Sequence, residues 1–466
     1  MKLIVTIYEE TFDAALDAIR ALDAGRADHD GLELRAERFG AIDLHALRAA
    51  TPKLLILTYR GQHVDEATIA SAIAAGIDLV DVEWHEALDR DLIARHRERI
   101  VLSHHDYEGM PDVEALLATM LSFGAAQTKL AVTPQSYRDN QRLLEAMREQ
   151  AGRGVTTIGM GARGLYSRIL APWFASELQF VARSEERSAA PGQLTLERAL
   201  AIYGRRALAG DGDRKLTSDP KLFAVVGNPA AHSLSPSIHN RLFRERGLAA
   251  AYSIFDSDSF DDIVWPFAAG AKLSPVGLSI TAPFKEEAFR FATGRGAAIA
   301  PNARESGAVN TLVRLSDREI LADNTDVDGF LTLLRDVRGR VAVAGAGGTA
   351  RAALVALRRL GALRRVGADV TLYNRTVDNA RALHDDARPL DELRHFDGEA
   401  IVNTLTSGVD VDLPLRPGMT LVEAAYAHEA AARELHGLTH YTGLDLLHAQ
   451  AVRQNELFRK VFDESR

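Results

Sequence analysis

The sequence predicts an α/β protein in which a (β/α)8 barrel is followed by a second α/β unit that contains a Rossmann nucleotide-binding domain. Three observations predict this fold class. Strand-like and helical segments alternate over about the first 205 residues, a segment without apolar periodicity follows, and a glycine-rich turn of the dinucleotide-binding type joins a strand to a helix in the second half.

The first half contains short apolar runs that are typical of buried parallel strands. Amphipathic segments such as 12–22, 112–123 and 141–150 fill the intervals between them. Eight such units predict a closed barrel, and an open doubly wound sheet is the alternative. The predicted strands are 3–7, 32–34, 54–58, 79–82, 100–102, 128–132, 155–159 and 178–181.

Polar and charged residues follow many of these strands. A barrel carries its chemistry at the C-terminal ends of its strands, so their joint placement predicts a site for a small polyhydroxy carboxylate. Any one of them alone would be an ordinary loop or edge residue. They are Glu33, Arg35, Arg60, His105, Lys129, Arg168 and Gln193.

These residues lie in motifs that resemble the type I 3-dehydroquinate dehydratases. The motifs run in order through the first half: Glu33-Leu-Arg35, Thr58-Tyr-Arg60, Ser103-His-His-Asp-Tyr107, Lys129 with Pro134-Gln-Ser136, Ser167-Arg168 and Ala190-Pro-Gly-Gln193. The resemblance implies a TIM barrel that dehydrates 3-dehydroquinate without a metal.

The resemblance also implies a role for each residue. Lys129 would form an imine with the C3 ketone, and His105 would move a proton from C2 to the departing C1 hydroxyl. Arg168 would hold the substrate carboxylate, whereas Glu33, Arg35, Arg60 and Gln193 would bind hydroxyls and orient Lys129. Two residues depart from the family pattern, Val64 in place of an acid and Ala189 in place of a serine.

The segment 204–220 separates the two halves. It is rich in Gly, Asp and basic residues, as in Gly210-Asp-Gly-Asp-Arg-Lys215, which is typical of a linker. We therefore predict a barrel over 1–210 and a linker over 211–220, and a new strand at 222–226 opens the second half.

A buried strand at 341–344 precedes the G-x-G-x-x-A turn. Its glycines permit a tight turn and a close approach of a diphosphate to the backbone, while the small final residue lets the helix pack on the strand. An ordinary strand–helix turn is the alternative. The predicted dinucleotide-binding residues are Gly345, Ala346, Gly347, Gly348, Thr349 and Ala350.

A second strand, at 369–373, ends in Asn374, Arg375 and Thr376. An NAD site usually places an acidic residue here for the ribose hydroxyl, whereas an arginine suits the 2′-phosphate of NADP. We therefore predict NADP as the cofactor. Asn379 removes one cation that is common nearby, although Arg381 lies close in sequence.

The second half resembles shikimate dehydrogenase. The motifs include Ser233-Leu-Ser235, Ser279-Ile-Thr-Ala-Pro-Phe-Lys285, Gly307-Ala-Val-Asn-Thr311, Asp323-Asn-Thr-Asp326 and Gly443-Leu-Asp-Leu-Leu-His-Ala-Gln450. The resemblance implies a substrate domain (221–325 and 443–466) and a nucleotide domain (326–442), with 442–462 as a crossing element. Ser279 replaces a usual asparagine.

The same resemblance implies the site residues. Lys285 and Asp326 would assist proton transfer at C3; by sequence alone a surface ion pair is the alternative for them. The substrate-binding residues would be Ser233, Ser235, Thr281, Asn310, Tyr426 and Gln450.

Composition limits the partners. A net charge of −9 argues against nucleic acid or an anionic membrane. The chain has no cysteine, which excludes disulfides and thiol nucleophiles, and no run near the about 20 apolar residues that span a bilayer. We expect a cytoplasmic monomer or homodimer that binds small molecules.

Together the two halves predict a bifunctional enzyme that converts 3-dehydroquinate to 3-dehydroshikimate and then to shikimate. Three alternatives stay open: oxidation of quinate, a regulatory protein built from degenerate copies of these domains, and an active dehydrogenase joined to an inactive barrel. The regulatory alternative predicts loss of Lys129, His105, Lys285 and Asp326, all of which are present.

Overall fold

The computed structural model describes residues 1–25, 27–204, 219–364, 369–406, 409, 411–425 and 437–463. Most of the predicted linker and Tyr426 therefore lie outside the described residues. The chain forms two compact units, Met1–Ala224 with Pro229–Ile263, and Val225–Asn228 with Val264–Arg466. The predicted domain boundaries differ from these divisions and stay a prediction.

Eight parallel strands form the core of the first unit, in the order β7-β6-β5-β4-β3-β2-β1-β8. This neighbour-to-neighbour order confirms the barrel and excludes an open doubly wound sheet, in which the order reverses at a switch point. The strands are β1 (Lys2–Ile7), β2 (Gly31–Arg35), β3 (Leu54–Thr58), β4 (Leu79–Glu83), β5 (Ile100–Asp106), β6 (Gln127–Val132), β7 (Val155–Gly159) and β8 (Leu178–Ala182).

The barrel is nearly closed between β7 and β8. Glu177 N donates to Val155 O at 3.4 Å, and Leu178 N donates to the Thr156 hydroxyl at 3.1 Å. A side-chain hydroxyl thus replaces part of the backbone ladder there. The two strands are tied together at their N-terminal ends.

Helices follow the strands because capping side chains start them at defined positions. The side chains of Thr11, Asp43, Asp65, Asp112 and Ser136, for example, accept hydrogen bonds from backbone N–H groups in the first turn of the following helix. The helices are α1 (Phe12–Ala24), α2 (Leu44–Ala50), α3 (Glu66–Ala74), α4 (Arg90–His96), α5 (Val113–Leu121), α6 (Tyr137–Glu149), α7 (Leu165–Leu170) and α8 (Leu196–Tyr203).

The first unit continues beyond the barrel. It includes α9 (Ser235–Glu245) and β10 (Ala250–Asp256), which lies beside β9 (Lys221–Gly227). The ring of Phe255 on β10 packs edge-on against Tyr137 and Tyr166 of the barrel helices, with centroids 6.2 and 6.0 Å apart. An apolar contact therefore joins β10 to α6 and α7.

The second unit contains a mixed sheet in the order β9-β11-β13-β14-β12, to which β9 contributes its last residues. β13 pairs antiparallel with β11 and β14, and β12 pairs parallel with β14. The elements of this part are β11 (Gly277–Ile280), α11 (Lys285–Gly294), β12 (Ala298–Ile299), α12 (Pro301–Ser306), β13 (Thr311–Arg314), β14 (Ile320–Asp323) and α13 (Asp326–Leu333). The helix α10 (Asp261–Ala269) precedes them.

A second sheet, parallel throughout, has the order β17-β16-β15-β18-β19-β20. Numbered within the domain this is 3-2-1-4-5-6, the order of a dinucleotide-binding Rossmann sheet. The predicted Rossmann domain is therefore confirmed. Its elements are β15 (Val341–Ala344), α14 (Gly348–Arg364), β16 (Val370–Asn374), α15 (Val377–Arg381), β17 (Ala387–Pro389), β18 (Ala400–Asn403), β19 (Thr420–Glu423) and β20 (Thr439–Tyr441).

The last helix, α16 (Gly443–Asp463), contacts both parts of the second unit. Leu446 belongs to the apolar core that includes β15 and α14. About two turns further along the helix, Gln454 Nε2 donates to Thr311 Oγ1 of β13 at 2.7 Å. Within the described ranges, none of the helices combines the length and apolar content needed to cross a membrane.

Candidate active sites

Lys129 lies on β6 inside the barrel, among charged partners. Its buried Nζ donates to Asp81 Oδ2 and lies 3.6 Å from Glu33 Oε1. The ring of Phe180 lies 4.6 Å from the same nitrogen. Asp81 and Glu33 thus place two carboxylates beside this amine.

Those two carboxylates are buried and ionised. Burial alone would raise the pKa of Asp81, but the charges of Lys129 and Arg60 outweigh it and hold that pKa well below its usual value. Burial likewise acts to raise the pKa of Glu33, and Lys129 and Arg35 lower it. The barrel therefore holds an ammonium and two carboxylates out of water as one compensated group.

His105 lies near the end of β5, beside Glu83. Its Nδ1 is 3.1 and 3.2 Å from the two carboxylate oxygens of Glu83, and its backbone N donates to Glu83 Oε1 at 2.9 Å. Burial, together with Arg60 and Lys129, lowers the pKa of His105 to about 4 against the opposing effect of Glu83. The imidazole is therefore neutral at pH 7 and able to accept a proton.

Two arginines of the barrel mouth are fixed by carboxylates. Arg60 contacts Glu83, and its Nη1 is 2.7 Å from His105 Nδ1. That nitrogen can donate to Glu83 or accept from Arg60, but it cannot do both at once. Arg35 Nη2 pairs with Glu37 Oε1 at 2.6 Å.

Arg168 differs from these arginines. It is buried in α7, its Nη1 donates to Pro191 O at 3.3 Å, and no carboxylate of the described residues lies within ion-pair distance. Burial lowers the pKa of this guanidinium to about 10, which still leaves it charged at neutral pH. A buried cation without a carboxylate partner suits an anionic ligand.

Gln193, the last residue of the Ala190-Pro-Gly-Gln193 motif, connects to the lysine site through a chain of hydrogen bonds. Its Nε2 donates to Thr6 Oγ1 at 3.0 Å, and Thr6 Oγ1 donates to Glu33 Oε2 at 2.8 Å. Its Oε1 accepts from Ala189 N at 2.9 Å, so the backbone at Ala189 contributes although its side chain departs from the family pattern. Thr58 completes the set by donating to Glu33 Oε1 at 2.9 Å.

Sequence reasoning missed Asp81 and Glu83. The signal was present, because the two acids are two positions apart in Leu79-Val-Asp-Val-Glu83 and therefore share one face of a strand.

Val64, which departs from the family pattern as Ala189 does, is buried, and the neighbouring Asp65 caps α3 by accepting from Thr68 N at 2.8 Å. Asp65 thus has a structural partner of its own.

In the second unit, Lys285 and Asp326 form a close pair at the starts of α11 and α13. Lys285 Nζ donates to Asp326 Oδ2 at 2.6 Å and to Thr349 Oγ1 at 2.8 Å. Asn310 Nδ2 donates to Asp326 Oδ1 at 2.8 Å. The pair is mostly buried, which disagrees with the surface ion pair considered as the alternative.

Other predicted residues surround this pair. Asn310 Oδ1 accepts from Thr325 N at 2.9 Å, and Gln450 Oε1 accepts from Thr325 Oγ1 at 2.8 Å. Thr281 packs on Gly227 so closely that a Cβ there would lie 2.2 Å from Thr281 Cγ2. Hydrogen bonds to Thr325 and Asp326 therefore bring Asn310, Gln450 and Lys285 together, with Gln450 supplied by α16.

Ser279, the departure on β11, has a clear contact. Its hydroxyl donates to Gln454 Oε1 at 2.7 Å, and both side chains are buried. The serine thus links β11 to α16. Gln454 was not predicted, although it lies four residues after Gln450 on the same helix face.

Ser233 and Ser235 belong to the first compact unit. Both side chains are buried, and Ser235 N donates to Ser233 Oγ at 3.3 Å. Their loop is anchored by Asp256, whose Oδ2 accepts from Ala230 N and Ala231 N at 2.6 and 2.7 Å. The predicted serine pair is therefore held in a defined loop before α9.

The glycine-rich turn has the geometry that a dinucleotide requires. Gly345 has φ +105°, and a Cβ there would lie 2.5 Å from Thr404 Oγ1. A Cβ on Gly347 would meet no atom within 4 Å, so open space lies beside the backbone where a diphosphate is expected. Ala350 is fully buried against the core, as the motif predicts.

The second cofactor segment is open to solvent. Asn374 Nδ2 donates to Thr376 O at 2.9 Å, which closes the turn after β16, and Arg375 and Thr376 are exposed. Arg381 lies on α15 within 3.5 Å of Asp378. These residues fit the adenosine end of a dinucleotide, with Arg375 as the cation at the strand end.

Comparison with known proteins divides the chain at the same place as the two halves of the sequence. Residues 3–208 match the model of the type I 3-dehydroquinase family, and residues 225–312 match that of the shikimate dehydrogenase substrate binding domain.

Three relatives extend this result. A shikimate dehydrogenase (NADP(+)) of Hyphomonas neptunium is 39% identical and aligns with 50% of this chain and 88% of its own length. A bifunctional 3-dehydroquinate dehydratase/shikimate dehydrogenase of Arabidopsis thaliana is 28% identical over 80% of this chain. A pentafunctional AROM polypeptide of Lachancea thermotolerans is 31% identical over 76% of this chain.

The chain spans 66% of the length of the Arabidopsis protein and 23% of that of the fungal polypeptide. The family models and the Hyphomonas relative nevertheless account for both halves. The chain belongs to the shikimate dehydrogenase family, and its residues 3–208 match the type I 3-dehydroquinase model.

Proposed function

We propose that the chain is a bifunctional enzyme of the shikimate pathway. Its barrel dehydrates 3-dehydroquinate to 3-dehydroshikimate, and its second half reduces that product to shikimate with NADPH. The observation that carries this proposal is the buried group formed by Lys129, Asp81 and Glu33, with the neutral His105 beside it.

In the dehydration, the Lys129 amine attacks the C3 ketone, and loss of one water gives an iminium. The iminium acidifies the neighbouring C2–H bond, and His105 accepts that proton. The bonding electrons expel the C1 hydroxyl, which leaves as water with the proton returned by His105. Hydrolysis of the imine consumes one water and releases the enone and free Lys129.

The neighbours of these two groups support the assignment. Asp81 and Glu33 offset the charge that remains on nitrogen in the iminium, so the site keeps its charge balance during the reaction. An Nδ1–H of His105 donated to Glu83 leaves Nε2 as the proton acceptor. Arg168 supplies the cation for the substrate carboxylate.

In the reduction, the turn Gly345–Ala350 would hold NADPH, which would supply the hydride that reduces the C3 ketone of 3-dehydroshikimate. Lys285 and Asp326, 2.6 Å apart, stabilise and protonate the oxygen that develops negative charge. Asn310 fixes the orientation of Asp326 by donating to its other oxygen at 2.8 Å. Thr281, Gln450 and the serine pair bind the ring oxygens and the carboxylate.

NADP is proposed over NAD because Arg375 follows β16 where an acidic residue would bind a ribose hydroxyl. The open space beside Gly347 admits the diphosphate. A cytoplasmic location, a monomeric or homodimeric state and the role of Tyr426, which lies outside the described residues, stay predictions.

The proposal is tested by measuring the two half-reactions separately on the purified chain. With 3-dehydroquinate alone, the conjugated enone should appear; with shikimate and NADP, nicotinamide absorbance should rise. Turnover of quinate in place of shikimate would overturn the dehydrogenase assignment. Enone formation no faster than in buffer would leave the barrel as an inactive partner and overturn the dehydratase assignment.

A further inference from the structure

Arg198, on the barrel helix α8, contacts the loop that carries the serine pair. Its Nη2 donates to Ala231 O at 2.6 Å and to Ser233 O at 3.2 Å. Charge-assisted hydrogen bonds of this kind are shorter and stronger than neutral ones. A side chain of the dehydratase half therefore fixes two carbonyl groups of the dehydrogenase half.

The loop is held from two directions. Arg198 binds its carbonyls, and Asp256 Oδ2 accepts from Ala230 N and Ala231 N at 2.6 and 2.7 Å. Fixing the carbonyl of Ser233 limits the backbone rotation at that residue and hence the position of its hydroxyl. That hydroxyl also accepts from Ser235 N, so the two serines are oriented together.

The same arginine borders a cavity of about 430 Å³. One wall is the barrel loop 188–193, which contains Gln193 of the dehydratase site, and another is formed by Ala231 and His232 of the serine loop. α8 begins soon after the barrel loop, with Thr195 as its capping residue. Arg198 thus lies one helical turn from the barrel loop and in direct contact with the serine loop.

We propose that Arg198 is a positioning residue for the dehydrogenase reaction: it holds Ser233 and Ser235 in the orientation that binds the carboxylate of shikimate. This inference rests on the proposed function of the second half. It means that an arginine of the barrel supports the serine pair proposed to bind that carboxylate.

Docking of the two segments does not depend on Arg198. Phe255 packs against Tyr137 and Tyr166, and Ser253 Oγ donates to Tyr166 O at 3.0 Å. Arg163 forms a further tie, with Nη2 2.6 Å from Asp258 Oδ1. Because these contacts remain when Arg198 is replaced, its loss should free the serine loop without separating it from the barrel.

The test compares Arg198→Met with Arg163→Met in the full chain. Both variants remove an arginine that joins the barrel to the same segment, but only the first touches the serine loop. For Arg198→Met we expect a KM for shikimate raised about 10-fold, which is ~1.4 kcal/mol of binding. Its kcat, its KM for NADP and its dehydratase activity should stay within about 2-fold of wild type, as should every constant of Arg163→Met.

Arg198→Lys keeps one charged donor and should restore part of the affinity for shikimate, which also covers the case in which Arg198→Met folds poorly. Equal rises of the KM for shikimate in Arg198→Met and Arg163→Met would overturn the proposal, because both would then act through docking. An unchanged KM in Arg198→Met would overturn it as well. Failure of the proposed function is distinguished by the wild-type chain, which would then not oxidise shikimate.

Discussion

At the scale of single residues, Lys129 combines burial with two charged neighbours. Asp81 and Glu33 hold its ammonium in a site that would otherwise disfavour any charge. The amine must lose its proton before it can attack a ketone, so an entering substrate has to disturb this group of charges. In the proposed mechanism, Lys129 is therefore the residue at which substrate binding is coupled to bond formation.

Replacing Lys129 tests the imine directly. Lys129→Arg keeps a cation between the two carboxylates but cannot form the imine, and we expect dehydration to fall by at least about 10³-fold. Borohydride added with 3-dehydroquinate should increase the mass of the wild type by one substrate adduct and leave Lys129→Arg unchanged. Lys53→Ala, which removes an amine paired with Asp23, is the control and should still be labelled. An adduct on Lys129→Arg would contradict the assignment.

His105 makes a prediction about pH. Its folded-state pKa of about 4 lies below the ordinary value of 6.5, so the imidazole is protonated, and lost as a base, only as the pH falls through about 4. The acidic limb of kcat/KM for dehydration should therefore lie near pH 4. Glu83→Gln removes a carboxylate that favours the charged imidazole, and it should move this limb to still lower pH. A limb near pH 6.5 in the wild type would contradict the buried environment of His105.

Replacing Arg375 tests the proposed preference for NADP over NAD. Arg375→Ala removes the cation proposed to pair with the 2′-phosphate, so the KM for NADPH should rise about 10-fold while that for NADH changes little. Steady-state reduction of 3-dehydroshikimate with each cofactor measures this. Equal losses for both cofactors would show that Arg375 does not contact the 2′-phosphate.

At the scale of elements, the two glycines of the turn between β15 and α14 should respond differently to the same methyl group. Gly345→Ala places a Cβ at positive φ and 2.5 Å from Thr404 Oγ1, so it should lower the free energy of unfolding by about 1–3 kcal/mol. Gly347→Ala meets no atom and should leave stability within about 0.5 kcal/mol.

Gly347→Ala should weaken cofactor binding even though it leaves the stability of the protein unchanged. A methyl group there enters the space expected for the diphosphate, so the Kd for NADPH should rise about 10-fold in a normally folded protein. Thermal unfolding and cofactor titration of both variants measure the two effects. Unchanged NADPH affinity in Gly347→Ala would place the diphosphate elsewhere.

The strands of the barrel show how far local sequence signals reach. All eight were predicted, because apolar runs of this length suit buried parallel strands. β5 was predicted only to 102, yet it continues to Asp106, because its polar end pairs with β6, Ser103 with Lys129 and His105 with Ala131. Apolar periodicity cannot detect a strand end whose side chains line a polar site.

The helix after the nucleotide turn shows the same limit. α14 begins at Gly348, inside the glycine-rich turn, where glycine lowers the helical signal of the sequence. The starts of three different helices bring together Lys285, Asp326 and Thr349. Lys285 Nζ lies 2.6 Å from Asp326 Oδ2 and 2.8 Å from Thr349 Oγ1. The motifs predicted the first two as partners, but the contact with Thr349 follows only from the fold.

At the scale of the whole molecule, the sequence predicted two halves but not how the first compact unit is built. That unit includes 229–263 because Phe255 packs against Tyr137 and Tyr166. An aromatic residue on a strand has no local feature that identifies a partner more than 80 positions away. Arg198 was missed for the same reason, since on α8 it is an ordinary arginine until its carbonyl partners are known.

The two proposed reactions are consecutive, so one assay can test both on one chain. The purified chain, given 3-dehydroquinate and NADPH and no other enzyme, should consume NADPH. Lys285→Ala should accumulate the enone while NADPH is largely spared, and Lys129→Arg should consume NADPH only after 3-dehydroshikimate is added. Wild-type chain that leaves NADPH untouched with 3-dehydroquinate, yet oxidises it when 3-dehydroshikimate is supplied, would contradict a working barrel and with it the two-step account.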